Sequence, residues 1–380
     1  MLTQKELGER ISEVRVRIGL TQEQVASALG ISRTGVTQIE NGNRQVSSLE
    51  LMKLSQLFKI DIRDLLEGRD PNEEILTLFR QKGFERSPEI ERALRDTLPI
   101  CRVVSDLEDI IDENANRSDQ RTLGHYRLKM LHGDPKKQGQ QLAQLERERL
   151  GLGSGPIPDL TYLILKMGII VVEHDLPEGV SGIYIKIRGG RSFILLRQKE
   201  SHARKRFSLA HEYCHSLVDS HEFIIVSSNE SQNVIEIRAN YFAASFLLPK
   251  EGIIQFISEN GLAPNDINFT HVAKLAVKFG LSYEATIIAL DEAGLLSSVK
   301  RAEIAAESKR AYGFMHKSLK YVEPQFIRTT LREWAFHRAI TALELELISL
   351  RKAINIAKQL GYNEEVVRDN FELLSNNDYD

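Results

Sequence analysis

The stretch His211-Glu212-Tyr213-Cys214-His215 reads H-E-x-x-H, and the rest of the chain is best understood outward from it. On a helix, positions i and i+4 share a face, so His211 and His215 can aim both imidazoles at one ion. Glu212 stands beside the first of them, where its carboxylate can take a proton from water at that ion. Residues 203–218 contain neither Pro nor Gly, and Ala203, Phe207, Ala210, Cys214 and Leu217 recur at helical spacing. That pattern predicts a helix with one buried face. Histidines beside an apolar stripe are partly desolvated, which disfavours a charged imidazole and suits a neutral ligand. The plainer account is two histidines on a helix flank with ordinary hydrogen bonds; Glu212 at the second position weighs against it.

A catalytic Zn2+ usually takes three protein ligands and keeps one position open, so a third ligand has to come from elsewhere. His221, Glu222, Glu230 and Glu236 follow the motif. Glu236 is preferred, because Glu236–Ala243 reads as a second helix, and Ala239, Ala243 and Ala244 would let it approach the first closely. On its own pattern Glu236 reads more simply as a solvated helix carboxylate.

Three segments together alter that balance. Arg206-Phe207-Ser208-Leu209-Ala210 leading into the H-E-x-x-H, then Glu236-x-x-Ala239-Asn240-x-Phe242-Ala243, then Leu247-Leu248-Pro249 resemble the ImmA/IrrE metallopeptidases over residues 138–295. The resemblance implies zinc held by His211, His215 and Glu236, with Glu212 as general base. Two positions depart from the family. Cys214 stands where a small residue such as Gly is usual, and Asp219, four residues after His215, stands where His is frequent.

The bulk numbers are compatible with two or three domains in 380 residues, and 42% hydrophobic with 27% charged residues is ordinary for a globular protein. A net charge of −3 singles out no partner. Cys101 and Cys214 are the only cysteines, too few for a disulfide framework, and a reducing cytoplasmic location is expected. Met1–Glu6 lacks an apolar signal segment, and the most apolar stretch, 160–172, is interrupted by Lys166 and too short for a bilayer, so no membrane partner is expected. The anticipated fold is mainly α with a small antiparallel sheet: an all-α five-helix domain (1–68), a helical connector (69–137), an α+β zincin-like domain (138–296) and a C-terminal helical region (297–380).

Residues 4–67 read as five short helices. Thr21-Gln22-Glu23-Gln24 is a capping box, the helix it opens directs Val25, Ala26 and Leu29 inward, and Gly30 ends it. Ser32 can cap the next helix, which runs to about Asn41 with Val36 and Ile39 inward. Helix, tight turn with Gly, helix is the DNA-binding helix-turn-helix unit. With Gly30-Ile31-Ser32 and Ile39-Glu40-Asn41-Gly42, the segment resembles the XRE (Cro-type) family, which implies a double-stranded DNA operator. Arg33, Thr34, Thr37 and Gln38 are then candidates for base edges. Gln22, Ser32, Asn43 and Arg44 are candidates for phosphate. Residues 1–68 hold nine Lys+Arg and nine Asp+Glu, so the usual basic footprint is missing and binding as a homodimer is expected.

Between these segments, Asp106, Glu108, Asp109, Asp112 and Glu113 form an acidic run that reads as a solvated face of a connector or dimerisation arm. Residues 168–173, 182–187 and 192–196 read as strands, with Arg188-Gly189-Gly190-Arg191 as a hairpin turn, and the sheet edge could take an extended peptide. Residues 186–206 hold eight Lys+Arg against Glu200 alone, a pattern equally suited to an approach path for an acidic substrate and to a solvated surface. Cys214 reads as a small apolar filler, with a redox role the lesser option. Trp334 and Phe336 would anchor long amphipathic helices between 324 and 360. The expectation is a regulator that binds DNA and cleaves a regulatory protein, such as a helix-turn-helix repressor, or itself. A transcription factor with a non-cleaving sensor domain is the alternative.

Overall fold

The computed structural model describes residues 2–17, 20–58, 62–67, 75–76, 88–114, 126, 131–187, 190–219, 222–228, 233–263, 266–321 and 330–363. By contact they divide into two compact units. One holds the helices between residues 4 and 114 together with those of 331–359; the other holds described residues from 126 to 186 and from 191 to 321. Among the described residues no helix is long and apolar enough to cross a membrane.

The first unit opens with α1 (Gln4–Arg17), α2 (Gln22–Leu29), α3 (Arg33–Glu40), α4 (Ser48–Phe58) and α5 (Ile62–Glu67). The Thr21 capping box is formed in both directions, and Gly30 ends α2 at φ 75°, a left-handed conformation that costs glycine little. Ser32 caps α3 by accepting from the Gly35 N–H at 3.1 Å. The core is Ile11, Val25, Ala26, Leu29, Val36, Ile39, Leu54, Phe58 and Leu65. Glu40, at the end of α3, is nearly buried and fully engaged. It is paired with the Arg15 guanidinium, accepts from Gln22 Nε2 at 2.8 Å and from Ser12 Oγ at 3.3 Å. Those contacts tie α1, α2 and α3 together.

Three further helices belong to the unit. α6 (Pro88–Asn114) packs against α16 (Leu331–Glu344), which in turn packs on α17 (Leu350–Gln359). Glu108, expected on a solvated face, is nearly buried: Trp334 Nε1 donates to it at 2.9 Å and Arg338 pairs with it at 2.8 Å. The run is therefore acidic for structural reasons at Glu108. The long C-terminal helices meet α6 through Trp334, while Phe336 stacks on Tyr362.

The second unit is built on a four-stranded sheet: β1 (Ile169–His174), β2 (Val180–Lys186), β3 (Ser192–Arg197) and β4 (Ile224–Ser228), in the order β1-β3-β2-β4. The sheet is mixed, not wholly antiparallel. β3 inserts between β1 and β2, and because β1 and β3 run the same way, Val171 faces Ile194 in a parallel pair. β2 pairs antiparallel with β3, as the hairpin reading expects, and also with β4, a strand that the sequence pattern does not mark. Residues Arg188 and Gly189 of the expected turn lie outside the described residues. The strand centres are buried on both faces, which accounts for continuous runs such as Ile169-Ile170-Val171-Val172.

Helices α7 (Pro135–Arg149), α8 (Leu160–Lys166), α9 (His202–Val218) and α10 (Val234–Leu247) cover the sheet and one another. From Ser208 to Val218, α9 is buried on every side, not on one face only. α10 packs on α9 and on α7. Its closest approach is to α7, where a Cβ on Gly139 would stand 2.3 Å from the Arg238 carbonyl. Then follow α11 (Lys250–Glu259), α12 (Phe269–Phe279), α13 (Tyr283–Glu292), α14 (Ser298–Ala306) and α15 (Ser308–Lys317). Tyr283 OH donates to the Ile304 carbonyl at 2.9 Å, joining α14 to this unit.

The Glu40 carboxyl is desolvated, but the hydrogen bonds from Arg15 and Gln22 outweigh that and hold its pKa below the ordinary carboxylate value. A group with a lowered folded pKa adds stability above its unfolded pKa and loses it as pH falls through the folded one. Glu40→Ala is expected to destabilise the first three helices by about 2 kcal/mol at neutral pH and by much less in acid. Hydrogen exchange of α1 and α3 in the full chain, followed from neutral to acidic pH, measures both; a pH-independent difference would contradict the account.

Candidate functional site

The two histidines of the H-E-x-x-H lie on one face of α9, and the start of α10 brings Glu236 to them. His211 Nε2 stands 3.2 Å from His215 Nε2 and 3.2 Å from Glu236 Oε2; His215 Nε2 stands 3.4 Å from Glu236 Oε1. Among the described residues these three form a group whose ligand atoms all lie within 4.8 Å of one another, and all three are buried. Of the other third-ligand options, Glu222 falls outside this group, and His221 and Glu230 lie outside the described residues.

The far side of each imidazole is also held. His211 Nδ1 meets Asn240 Oδ1 at 2.9 Å and His215 Nδ1 meets Asp219 Oδ2 at 2.9 Å, so each ring turns Nε2 toward the centre. Arg238 Nη2 donates to the other oxygen of Asp219 at 2.6 Å. Asn240 is four residues after Glu236 and Asp219 four after His215, the one-turn spacing that could have pointed to both. Burial lowers the His215 pKa, but the hydrogen bonds to Asp219 and Glu236 outweigh it and the net shift is upward. Burial raises that of Glu236, and the two imidazoles outweigh it in the other direction. The centre is thus built around an ionised carboxylate that requires positive charge beside it.

Glu212 has no exposed surface, and neither carboxylate oxygen has a hydrogen-bond partner. Gly182 on β2 makes room for it, since a Cβ there would lie 2.5 Å from Glu212 Oε1. Burial raises the Glu212 pKa against the opposing pull of His211 and His215. A buried carboxylate without partners is costly, and such groups in native proteins usually have a catalytic or ligand-related reason. Two imidazoles and a carboxylate are a usual donor set for zinc, and with the orphaned Glu212 the residues present fit that ion.

Tyr213, inside the motif, donates to the fully buried Glu146 of α7, which also accepts from Tyr126 OH and Arg149 Nε, both at 2.8 Å. This network fixes the rotation of α9, and no local pattern marks it in the sequence. Cys214 is completely buried, and burial raises its thiol pKa well above the ordinary value, as suits an apolar filler. Part of the basic stretch is used inside the fold: Lys205 pairs with Glu173 at 2.9 Å and Arg206 donates to the Ile157 carbonyl, while Lys199 forms an exposed pair with Asp175. Arg204, exposed, lines the cleft beside His211.

In the helix-turn-helix, Ser32, Arg33, Thr34, Gln38 and Asn43 are exposed, while Gln22, Thr37 and Arg44 are half-buried. Thr37 Oγ1 donates to Gln22 Oε1 at 3.2 Å, and Gln22 reaches Glu40, so Gln22 bridges α2 and α3. Arg44 pairs with Glu50 at 2.7 Å.

A helix-turn-helix head and a metallopeptidase-type body are the class these features define. A family model described as Helix-turn-helix matches residues 11–65, and one described as IrrE N-terminal-like domain matches residues 165–291. The chain belongs to the proteins that join an XRE-type helix-turn-helix domain to an IrrE-like domain. Similar proteins include the Propionyl-CoA carboxylase regulator of Cereibacter sphaeroides, 24% identical over 312 residues, 73% of this chain and 62% of that protein. The HTH-type transcriptional activator BcrR of Enterococcus faecalis is 36% identical over 73 residues, 19% of this chain and 34% of that protein. The ImmF control region 10 kDa protein of Bacillus phage phi105 is 38% identical over 65 residues, 17% of this chain and 72% of that protein. The chain thus spans less than two thirds of the first two relatives.

Asp219→Ala removes the carboxylate that orients His215 and is expected to weaken zinc binding by about 10–100-fold. Competition against a chromophoric chelator measures the loss, with circular dichroism as a check that the helices persist; unaltered affinity would count against an orienting role.

Proposed function

We propose that this chain is a transcriptional regulator whose IrrE-like body is a zinc-dependent, site-specific endopeptidase. Its substrate is a regulatory protein, such as a helix-turn-helix repressor, or the chain itself, in a stress- or phage-related response. The observation that carries the reading is Glu212, buried without a hydrogen-bond partner beside the convergent His211, His215 and Glu236. Zinc, when bound, supplies Lewis-acid polarisation of a peptide carbonyl and makes water easier to deprotonate. His211, His215 and Glu236 would hold it. Glu212 takes the proton from the attacking water and delivers it to the leaving amine nitrogen, a role its raised pKa suits. β4 is an edge strand whose Ser227 pairs with Gly182, so a substrate backbone added along that edge would run close to Glu212.

The head would set α3 in the major groove, with Arg33, Thr34 and Gln38 toward base edges and Ser32 and Asn43 toward phosphate. Thr37, Gln22 and Arg44 support that surface while contributing smaller contacts. Because the head carries no net charge, binding as a homodimer on paired half-sites is part of the proposal. One observation favours a second reading, a sensor that cuts nothing: two relatives are named as a regulator and a transcriptional activator.

Glu212→Gln separates the two. It is expected to retain zinc and operator binding while cleavage of a candidate repressor falls by at least about 100-fold. Mass spectrometry of products and metal analysis of both proteins read this out; identical absence of cleavage, with operator binding that responds to a signal, would leave the sensor. Arg33→Ala should weaken binding to an operator selected from random DNA by about 1–3 kcal/mol and relax the preference at one base pair. Gel-shift titrations on selected and scrambled sites measure both effects.

A further inference from the structure

A cleft opens beside His211, and what it says about substrate rests on the hydrolytic reading. It is a cavity of about 520 Å³ between α9, α10 and α13, within the range of ligand pockets. Its walls are largely apolar: Phe207, Leu281, Ala285 and Ile288, the last 47% exposed although aliphatic. Ser181 and Asn240 also line it, one adjoining Gly182 in sequence and the other bonded to His211, so the cleft is continuous with the metal centre.

The charged groups along the cleft are poor counter-charges for a ligand. Glu284 accepts from Ser308 Oγ at 2.8 Å and from Tyr312 OH at 2.7 Å. Arg204 is on the rim with Glu200 3.8 Å away. Glu292 is shared with the neighbouring cavity along α10 and disfavours an acidic side chain. An aliphatic side chain left exposed on a concave wall is stabilised by covering it with apolar surface.

We propose that this cleft is the subsite for a large apolar side chain, that of leucine, methionine or phenylalanine, on the residue next to the scissile bond. The regulatory protein cut by this chain is then cleaved beside such a residue and not beside an acidic one.

The test has two readouts on the zinc-loaded full chain. In a peptide library analysed by mass spectrometry, one position flanking the cut should favour Leu, Met or Phe about 10–100-fold over Ala and Asp. In calorimetry, 4-methylpentanohydroxamate should bind at least about tenfold tighter than acetohydroxamate. Ala285→Phe, which fills the cleft, and Ile288→Arg, which charges its wall, should each erase both preferences while zinc content and melting temperature are retained. If the chain cuts nothing but the hydroxamate gain exists and vanishes in Ala285→Phe, the subsite stands and the hydrolytic reading falls. Cleavage without apolar enrichment, a preference for lysine or acidic residues, equal binding of the two hydroxamates, or a gain insensitive to both variants overturns the subsite.

Discussion

The second unit depends on burying residues 208–218 of α9 on all sides while His211, Glu212, Tyr213 and His215 carry ionisable groups into its interior. The apolar part of that burial is supplied by Leu209, Ala210, Cys214 and Leu217 against β2, β3, α8 and α10. The polar part is tolerated because the groups satisfy one another: His211 with Asn240 and Glu236, His215 with Asp219 and Glu236, Tyr213 with Glu146. Of these four, Glu212 is the one whose side-chain oxygens meet no hydrogen-bond partner. A helix that was amphipathic in the ordinary way would expose these groups to water and lose the burial that holds the Glu212 carboxyl above its ordinary pKa. The site is thus a consequence of the packing.

Much of this was readable from residues alone, because the relevant spacings are local. H-E-x-x-H puts two histidines on one face of a helix, the Thr21 box and Ser32 mark helix starts, and Gly30 marks a stop. Glu236 was reached through a resemblance, since nothing in the pattern of Val234–Leu247 distinguishes a buried carboxylate from a solvated one. What stayed hidden is what depends on distant pairing. The parallel β1–β3 pair arises from the insertion of β3, and the strand period of two does not encode neighbour order. β4 is short and was passed over. Gly182 looks like an ordinary strand glycine until Glu212 is placed against it. Charge runs say nothing about partners, so the near-burial of Lys205 and Arg206 within the basic stretch was not legible in it.

The same logic of mutual satisfaction recurs in the head. Glu40 gathers Arg15, Gln22 and Ser12 from two other helices, so the acidic count that cancels the basic one in residues 1–68 is partly internal. Each such acid cancels one base, so the balance stays at zero: Arg33 is exposed on α3, while Arg15 and Arg44 are paired with Glu40 and Glu50.

Asp219 shows how one departure from the family's pattern can be absorbed. A carboxylate behind His215 makes that imidazole a more basic ligand than a second histidine would. Left alone it would also add a buried negative charge next to Glu236, in a place where a charge without a partner is costly. Arg238 meets that charge at 2.6 Å from the opposite oxygen, on the same helix that supplies Glu236 and Asn240. Three residues of α10, two positions apart in sequence, therefore serve the two histidines of α9: one as a partner at the centre, one behind His211 and one behind the residue that holds His215. A substitution at Asp219 is for that reason coupled to Arg238: loss of Asp219 takes from Arg238 the carboxylate it meets at 2.6 Å, and loss of Arg238 leaves Asp219 paired with His215 at 2.9 Å.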